Sequence, residues 1–355
     1  MNRREVLAGM AAAAASPAGA LTPACNYMPA EWAPHSGCVM AWCSAHDIYY
    51  PRELKKIRAE QAKIANAIAR FEPVTMLINP GDDAGTERLT SQNIRLLEMT
   101  HYDTWTRDTL PVFGKCSGTV ATGWNFNVWG EKFEGYGEDV TLSARFAAAE
   151  GVQLQSAPIV SEGGAMESDG MGTLLTTETC LLNPNRNPGL SKGEVTKALQ
   201  EFTSTQEVIW LWGSEADAVT DGHVDGVARF IRPGQVVVEI SDDTEDPEYH
   251  DLRENAKRLR AARDARGEKL EVIELLRPRW DYMPERGDDF AGAYVNAYFP
   301  NGGIVMPRFG DRQRDAAARE LFQALEPDRE IIQIDIDQIA EGGGGIHCCT
   351  MQIPA

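Results

Sequence analysis

The order of apolar and amphipathic stretches constrains this chain more than any single motif. Five times between about residue 37 and the C-terminus, an apolar strand is followed by an amphipathic helix and then by a second strand. The first strands read "GCVMAW", "GTVATGWNF", "GTLLTTETCLL", "GQVVVEI" and "GGIVMP". The helices lie in "ELKKIRAEQAKIANAIARF", "LSARFAAAEG", "SKGEVTKALQEF", "PEYHDLRENAKRLRAARDARG" and "DRQRDAAARELFQAL". In the first of them Leu54, Ile57, Ile64 and Ile68 share one face, and Asp311 is placed to cap the last. The second strands, "PVTMLIN", "VQLQSAP", "EVIWLW", "KLEVIELL" and "EIIQIDI", recur roughly every sixty residues, a spacing longer than most solenoid repeats. Their near-continuous apolar runs predict burial at the centre of the assembly. Five such units closing into a ring leave no free sheet edge and one axial cleft; the same alternation also fits an open α/β sheet.

The chain has 355 residues, 43% hydrophobic and 25% charged, which is ordinary globular material for one large domain or two medium ones. Acidic residues outnumber basic ones by 53 to 34, for a net charge of -19. That balance repels phosphate backbones and draws cationic small molecules into any acidic cleft, so nucleic acid is excluded as a partner class. The first twenty residues carry Arg3-Arg4, then Leu7 and an Ala-rich run, then Ala18-Gly19-Ala20, the small-x-small pattern of a signal-peptidase site. Residues 1–20 are read as a twin-arginine export signal, which makes the mature protein periplasmic or secreted; a ragged cytoplasmic N-terminus is the competing reading. No other apolar run approaches a bilayer-spanning length. In an exported chain the seven cysteines would permit disulfides among Cys25, Cys38, Cys43, Cys116 and Cys180 without specifying a pairing.

Chemistry-bearing residues cluster among turn-formers. "TWTRDTLP" holds Trp105, Arg107 and Asp108; "SEGGAMESDG" places Glu162 before a glycine pair. In "TDGHVDGVARF", His223 and Asp225 are two apart, which puts both on one face of an extended segment. "GGGGIHCC" supplies His347 and Cys348 after a glycine run. Taken singly, such residues are more often caps, turns or small buried hydrophobes; together they list a nucleophile, an acid–base group and three carboxylates. The spacing gives no metal motif: there is no C-x-x-C and no H-x-x-x-H, and His347 and Cys348 in a strand would face opposite ways. A P-loop is excluded because no G-K-[ST] follows the glycines.

These segments, from "MPAEWAPH" through "WTRD", "EGG", "CLLNPNRNP", "TDGHVDG" and "NGGIVMPRFGD" to "GGGGIHC", resemble in order and over nearly the whole chain the agmatine deiminases and bacterial-type peptidylarginine deiminases of the guanidine-modifying pentein superfamily. The resemblance implies a single catalytic domain over 28–355, a five-bladed α/β propeller of ββαβ units with the site on its axis. It implies Cys348 as nucleophile, Asp108 and Asp225 as a guanidinium clamp, and His223 as the acid–base group. Glu162 would join the clamp or orient His223. Trp105 and Trp32 are candidate aromatic walls for a planar cation, or else core aromatics. No metal or organic cofactor is required. The expected substrate is a cationic guanidine, agmatine giving N-carbamoylputrescine, with an arginyl peptide as alternative. Amidinotransfer and a non-catalytic binding propeller are the other readings of the same sequence. Departures from the family pattern at Cys38, Cys43, Leu110 and "EKFEGYGEDV" are expected to bear on the non-guanidine end of the substrate. The sequence leaves the oligomeric state open.

Overall fold

The computed structural model describes residues 27–45, 53–279, 287 and 289–355, and the expected export signal and Cys25 lie outside them. The fold is mixed α/β, with its strands in five separate sheets. One sheet has the order β15-β1-β2-β3, formed by β1 (His35–Ala41), β2 (Val74–Ile78), β3 (Ile94–Glu98) and β15 (Met351–Pro354). The next holds β4 (Val112–Lys115), β5 (Thr119–Gly123) and β6 (Gln153–Ser156), and a third holds β7 (Glu167–Ser168), β8 (Thr173–Thr177) and β9 (Glu207–Leu211). The fourth holds β10 (Ala228–Arg232), β11 (Gln235–Ile240) and β12 (Glu271–Leu276); the fifth pairs β13 (Gly303–Arg308) with β14 (Glu330–Asp335).

The second, third and fourth units repeat one logic. An antiparallel hairpin is followed by a helix and a strand that returns parallel, the connection a right-handed crossover favours. The helices are α1 (Leu54–Ile68), α2 (Gly137–Ala149), α3 (Lys192–Thr203), α4 (Tyr249–Ala261) and α5 (Arg312–Leu325), one in each of the predicted stretches. Ile57, Ile64 and Ile68 of α1 are fully buried, each contributing about 1.5–3 kcal/mol, and Asp311 caps α5 by accepting from Arg314 N. In the fifth sheet a single bridge, Tyr298 to Val305, stands in for the missing hairpin strand. The first unit is assembled from both ends of the chain: β15 pairs antiparallel with β1, so the last residues complete the sheet that the first ones begin. The segment before β15 is tied to the Asp108 loop by the Arg107 N–H, which donates to the Cys348 carbonyl.

The expectation that the strands after the helices sit innermost is corrected. The strands before the helices are the middle ones, and β8, β11 and β13 are buried along nearly their whole length. The later strands β6, β9, β12 and β14 lie at sheet edges and expose part of their residues. Only β2 is buried throughout, because β3 covers its outer side. Among the described residues no helix is long and apolar enough to cross a membrane. All six described cysteines are free thiols, so the disulfides that export would permit are not formed among them.

Candidate active site

The clustered polar residues come from the segments that lead into β4, β7, β10 and β15, each the first strand in its sheet's order. Asp108 sits in the one-turn helix Thr106–Thr109 that Trp105 introduces, and Glu162 immediately precedes the turn Gly163–Ala165. His223 and Asp225 lie at a turn, Val224–Gly226, not in an extended segment; the turn still directs both into the site. Cys348 lies in the turns between the glycine run and β15. Its backbone carbonyl accepts from Arg107 N at 3.0 Å, which ties it to the Asp108 loop. All five residues are buried, between 0% and 6% exposed.

Cys348 Sγ lies 3.6 Å from Asp225 Oδ2 and 3.2 Å from Asn296 Nδ2. Asp108 accepts from Trp129 Nε1 at 2.9 Å and from Gly164 N at 3.0 Å, leaving its carboxylate fixed beside His223 Nδ1 at 3.8 Å. His223 Nε2 is 3.4 Å from Glu162 Oε2, while Arg186 Nε holds the other Glu162 oxygen at 2.7 Å. His223 Nδ1 has no hydrogen-bond partner among the described residues. The glycine pair after Glu162 is a matter of space: a Cβ on Gly164 would stand 2.5 Å from His223 Nδ1 and 3.0 Å from Asp108 Oδ1. In the C-terminal run, a Cβ on Gly345 would stand 2.4 Å from Asn296 Oδ1, the atom that receives His347 N at 3.0 Å.

A second histidine cluster adjoins the first, and most of it escaped the sequence reading. His347 Nδ1 is 2.7 Å from Asp225 Oδ2 and its Nε2 is 2.7 Å from Glu31 Oε2. Glu31 in turn accepts from Arg229 Nη2 at 2.8 Å, Phe299 N at 2.9 Å and Arg107 Nη2 at 3.3 Å. His347 and Cys348 therefore meet the same Asp225 oxygen, against the expectation that neighbours in a strand would diverge; the backbone here turns. Glu31 and Arg186 were present in the quoted segments "MPAEWAPH" and "CLLNPNRNP"; Glu31 stands as a lone charge among apolar residues, whereas Arg186, between two asparagines, carries no local signal.

Burial raises the carboxyl pKa of Asp108, and Asp225 and Glu162 push the same way against His223. Burial also opposes ionisation of Asp225, but the hydrogen bond and charge of His347 outweigh it and hold the carboxyl below its ordinary range. For Glu162 burial is outweighed by Arg186, and this carboxyl too is lowered. Burial disfavours protonated His223, yet Asp108, Cys180 and Glu162 prevail and raise it well above an ordinary imidazole. His347 is raised by Glu31 and Asp225 against burial and Arg107. Burial, then Asp225 and Asp108, push the Cys348 thiol well above its usual value. The described site thus combines a thiol whose ionisation burial and two carboxylates oppose, two imidazoles whose protonation neighbouring carboxylates favour, and two carboxyls, Asp225 and Glu162, whose ionisation neighbouring cations favour.

Trp105 lines a cavity of about 210 Å³ with Trp129, Phe133 and Tyr136, and Asp289 and Glu341 line it too. Trp32 has other surroundings: it is half-buried and packs against two hydrophobic clusters, and its carbonyl accepts from Arg329 Nη2 at 3.2 Å. Cys38, Cys43 and Leu110 are core residues, whereas Phe133 and Tyr136 of "EKFEGYGEDV" do reach the cavity wall. For a metal ion, Glu162, Cys180 and His223 offer one ligand atom each, all within 4.8 Å of one another.

A buried thiol, carboxylates and imidazoles thus lie together on a mixed α/β fold of five sheets. Residues 27–354 match the Porphyromonas-type peptidyl-arginine deiminase family, and the chain belongs to it. A protein of Legionella pneumophila (strain Paris) is 41% identical over 331 residues, covering 92% of this chain and 95% of the relative. The agmatine deiminase of Pseudomonas aeruginosa (strain LESB58) is 37% identical over 356 residues, covering 92% and 95%. The solved structure of the agmatine deiminase of Enterococcus faecalis matches with a TM-score of 0.86 at 30% identity, covering 93% of this chain and 96% of that one.

Proposed function

We propose that this protein hydrolyses the guanidine group of agmatine to N-carbamoylputrescine and ammonia through a covalent adduct on Cys348. The observation that carries the reading is the placement of the Cys348 thiol 3.6 Å from Asp225, in one buried cluster with Asp108, His223 and Glu162. A guanidinium carbon is a poor electrophile because its charge is spread over three nitrogens, so the site has to fix the plane and bring a strong nucleophile above it. Asp108 and Asp225 clamp the guanidinium, whose charge favours the thiolate, and the thiol proton leaves to solvent. Sulfur attacks the carbon, and His223, kept protonated by Asp108 and Glu162, gives its proton to the departing ammonia. The same imidazole then takes a proton from the water that hydrolyses the thiouronium, which releases the ureido product and the thiol. Glu162, anchored by Arg186, orients His223.

Agmatine is favoured over free arginine by charge. Beside the aromatic cavity is a second one of about 320 Å³, which shares Asp289 with it and is lined by Asp217, Asp246 and Glu248 against Arg277. Such a basin suits an ammonium and repels a carboxylate. Incubation with agmatine, free arginine and an arginyl peptide, scoring ammonia and ureido product, tests the assignment; turnover of the peptide above agmatine would replace it with peptidyl-arginine deimination. Release of the amidino group to an added amine without ammonia would make the enzyme an amidinotransferase.

The five sheets, their shared topology and the β15–β1 pairing support closure into a five-bladed ring with the site on its axis. A crystal structure in which the sheets share no axis would remove that reading. The Arg3-Arg4 segment supports export with removal of residues 1–20. N-terminal sequencing from the native host decides this, and an active pool retaining Arg3-Arg4 in the cytoplasm speaks against it.

A further inference from the structure

Cys180 has no part in the hydrolysis, yet it sits against its acid–base group. Its Sγ is 3.9 Å from Glu162 Oε2, and His223 Nε2 is 3.4 Å from the same oxygen. The three ligating atoms all lie within 4.8 Å of one another, and all three side chains are buried. A tetrahedral zinc ion with bonds of about 2.0–2.3 Å sets its ligand atoms roughly 3.4–3.7 Å apart. The two separations, 3.4 and 3.9 Å, therefore bracket that spacing within a few tenths of an ångström. Thiolate, imidazole and carboxylate together are a donor set that suits zinc and discriminates against magnesium and calcium. Arg186 fixes the other Glu162 oxygen at 2.7 Å, so Oε2 stays directed at the trio, and Asp108 adds negative charge 3.8 Å from His223 Nδ1.

The neighbouring histidine cluster offers no such site. Both ring nitrogens of His347 are already engaged at 2.7 Å, whereas His223 is held at 3.4 and 3.8 Å and has one nitrogen without a hydrogen-bond partner. A metal would have to break two short charge-assisted hydrogen bonds at His347 and none of comparable strength at His223.

We propose that Glu162, Cys180 and His223 form an inhibitory site for a thiophilic divalent cation such as Zn²⁺. Binding replaces the proton of the Cys180 thiol and one proton of the His223 imidazolium with bonds to the metal. Two protons are released, the complex of metal, thiolate, imidazole and carboxylate is neutral, and the fourth position is left to water. With Nε2 bonded to the metal, His223 is held as a neutral imidazole and has lost the imidazolium proton that it would give to ammonia. The inhibition rests on the hydrolytic reading given above; the metal binding does not.

Two measurements test the two parts. In the full-length protein, stoichiometric Zn²⁺ should lower agmatine turnover by about tenfold or more and EDTA should restore it. Cys180→Ala should lose that sensitivity, its turnover being the same with and without Zn²⁺, with Cys180→Ser as the second variant should the alanine protein fail to fold. Independently of activity, Co²⁺ added to Cys348→Ser should give a near-ultraviolet thiolate-to-cobalt charge-transfer band that is missing from the Cys180→Ala/Cys348→Ser protein. Zn²⁺ inhibition that persists in Cys180→Ala, or a cobalt band equal in the single and double variants, or no band in either, overturns the proposal. A Cys180-dependent band in a protein that turns over no guanidine leaves the metal site standing and removes the hydrolytic reading instead.

Discussion

Two buried imidazoles flank the nucleophile, each between two carboxylates, and they are held in opposite ways. His347 bridges Glu31 and Asp225 by two contacts of 2.7 Å, and two arginines lean on the same Glu31. His223 is 3.4 Å from Glu162 and 3.8 Å from Asp108, and its Nδ1 has no hydrogen-bond partner among the described residues. An imidazole whose two nitrogens both face anions at short range is a fixed imidazolium, a structural cation that keeps Asp225 ionised. An imidazole at long range keeps its proton but can release it and turn. One region is built to stay charged, the other to change charge, and a proton carrier belongs to the second.

The sharpest break between the regions is at the nucleophile they share. Cys348→Ser should abolish turnover, while Cys349→Ala should keep most of it. Cys349 is buried against Thr104 Oγ1 at 3.8 Å, and burial raises its thiol pKa too. Mass spectrometry of a trapped adduct checks the assignment, and a thiouronium on Cys349 would reverse it.

The next largest effect should separate the two imidazoles. His223→Asn should cost about 10²–10⁴ in kcat with little change in the binding of a guanidinium, because the acid is lost and the clamp is kept. Glu31→Gln should lower kcat/KM about 10–100-fold, chiefly through KM, as loss of an outer partner of a functional group does. A merely structural loss would leave the pH profile in place. Here the sign is fixed: without the Glu31 charge His347 is less readily protonated, so Asp225 loses part of what depresses its carboxyl pKa. The acid limb of kcat/KM should move to higher pH, and an unmoved limb would reduce Glu31 to a packing residue. Glu31→Asp should return part of the shift.

How much of this was legible from the sequence follows from the range over which each interaction acts. The helices and strands were readable because periodicity is local, and so was Cys348, because a glycine run before two cysteines needs a reason. Burial of the strands was misjudged: an apolar run such as "EVIWLW" reports that a strand is covered on its faces, not that a neighbour covers its edge, and β3 alone supplies that for β2. The His347 cluster was out of reach for a different reason. Glu31, Asp225, Asn296 and His347 come from four separate segments, and only the β15–β1 pairing that joins the chain ends brings the first to the last. Trp129 was hidden in a loop whose left-handed residues, among them Val128 at φ 60° and Trp129 at φ 51°, no propensity predicts; the indole donates to Asp108.

The smallest expected effect concerns the thiol itself, and it tests whether either imidazole pre-ionises it. Burial, Asp225 and Asp108 raise the Cys348 thiol pKa well above the usual value, although His347 and His223 are both cations nearby. The geometry explains why the anions prevail. Asp225 Oδ2 is 3.6 Å from Sγ, whereas the charges of the two imidazoles are already directed at carboxylates. The free enzyme should therefore hold a neutral thiol at neutral pH, and a guanidinium entering between Asp108 and Asp225 supplies the missing positive charge. At pH 7 iodoacetamide should label Cys348 slowly, and a cationic haloacetamidine with the same leaving group about tenfold faster after correction for reaction with a free thiol. Saturating agmatine should protect against both. If the neutral and cationic reagents react at similar rates, or if thiolate absorbance in the free enzyme titrates below pH 7, then one imidazole forms an ion pair with Cys348. The looser of the two, His223, would be the partner, and its protonation would then serve the nucleophile before it serves the leaving group.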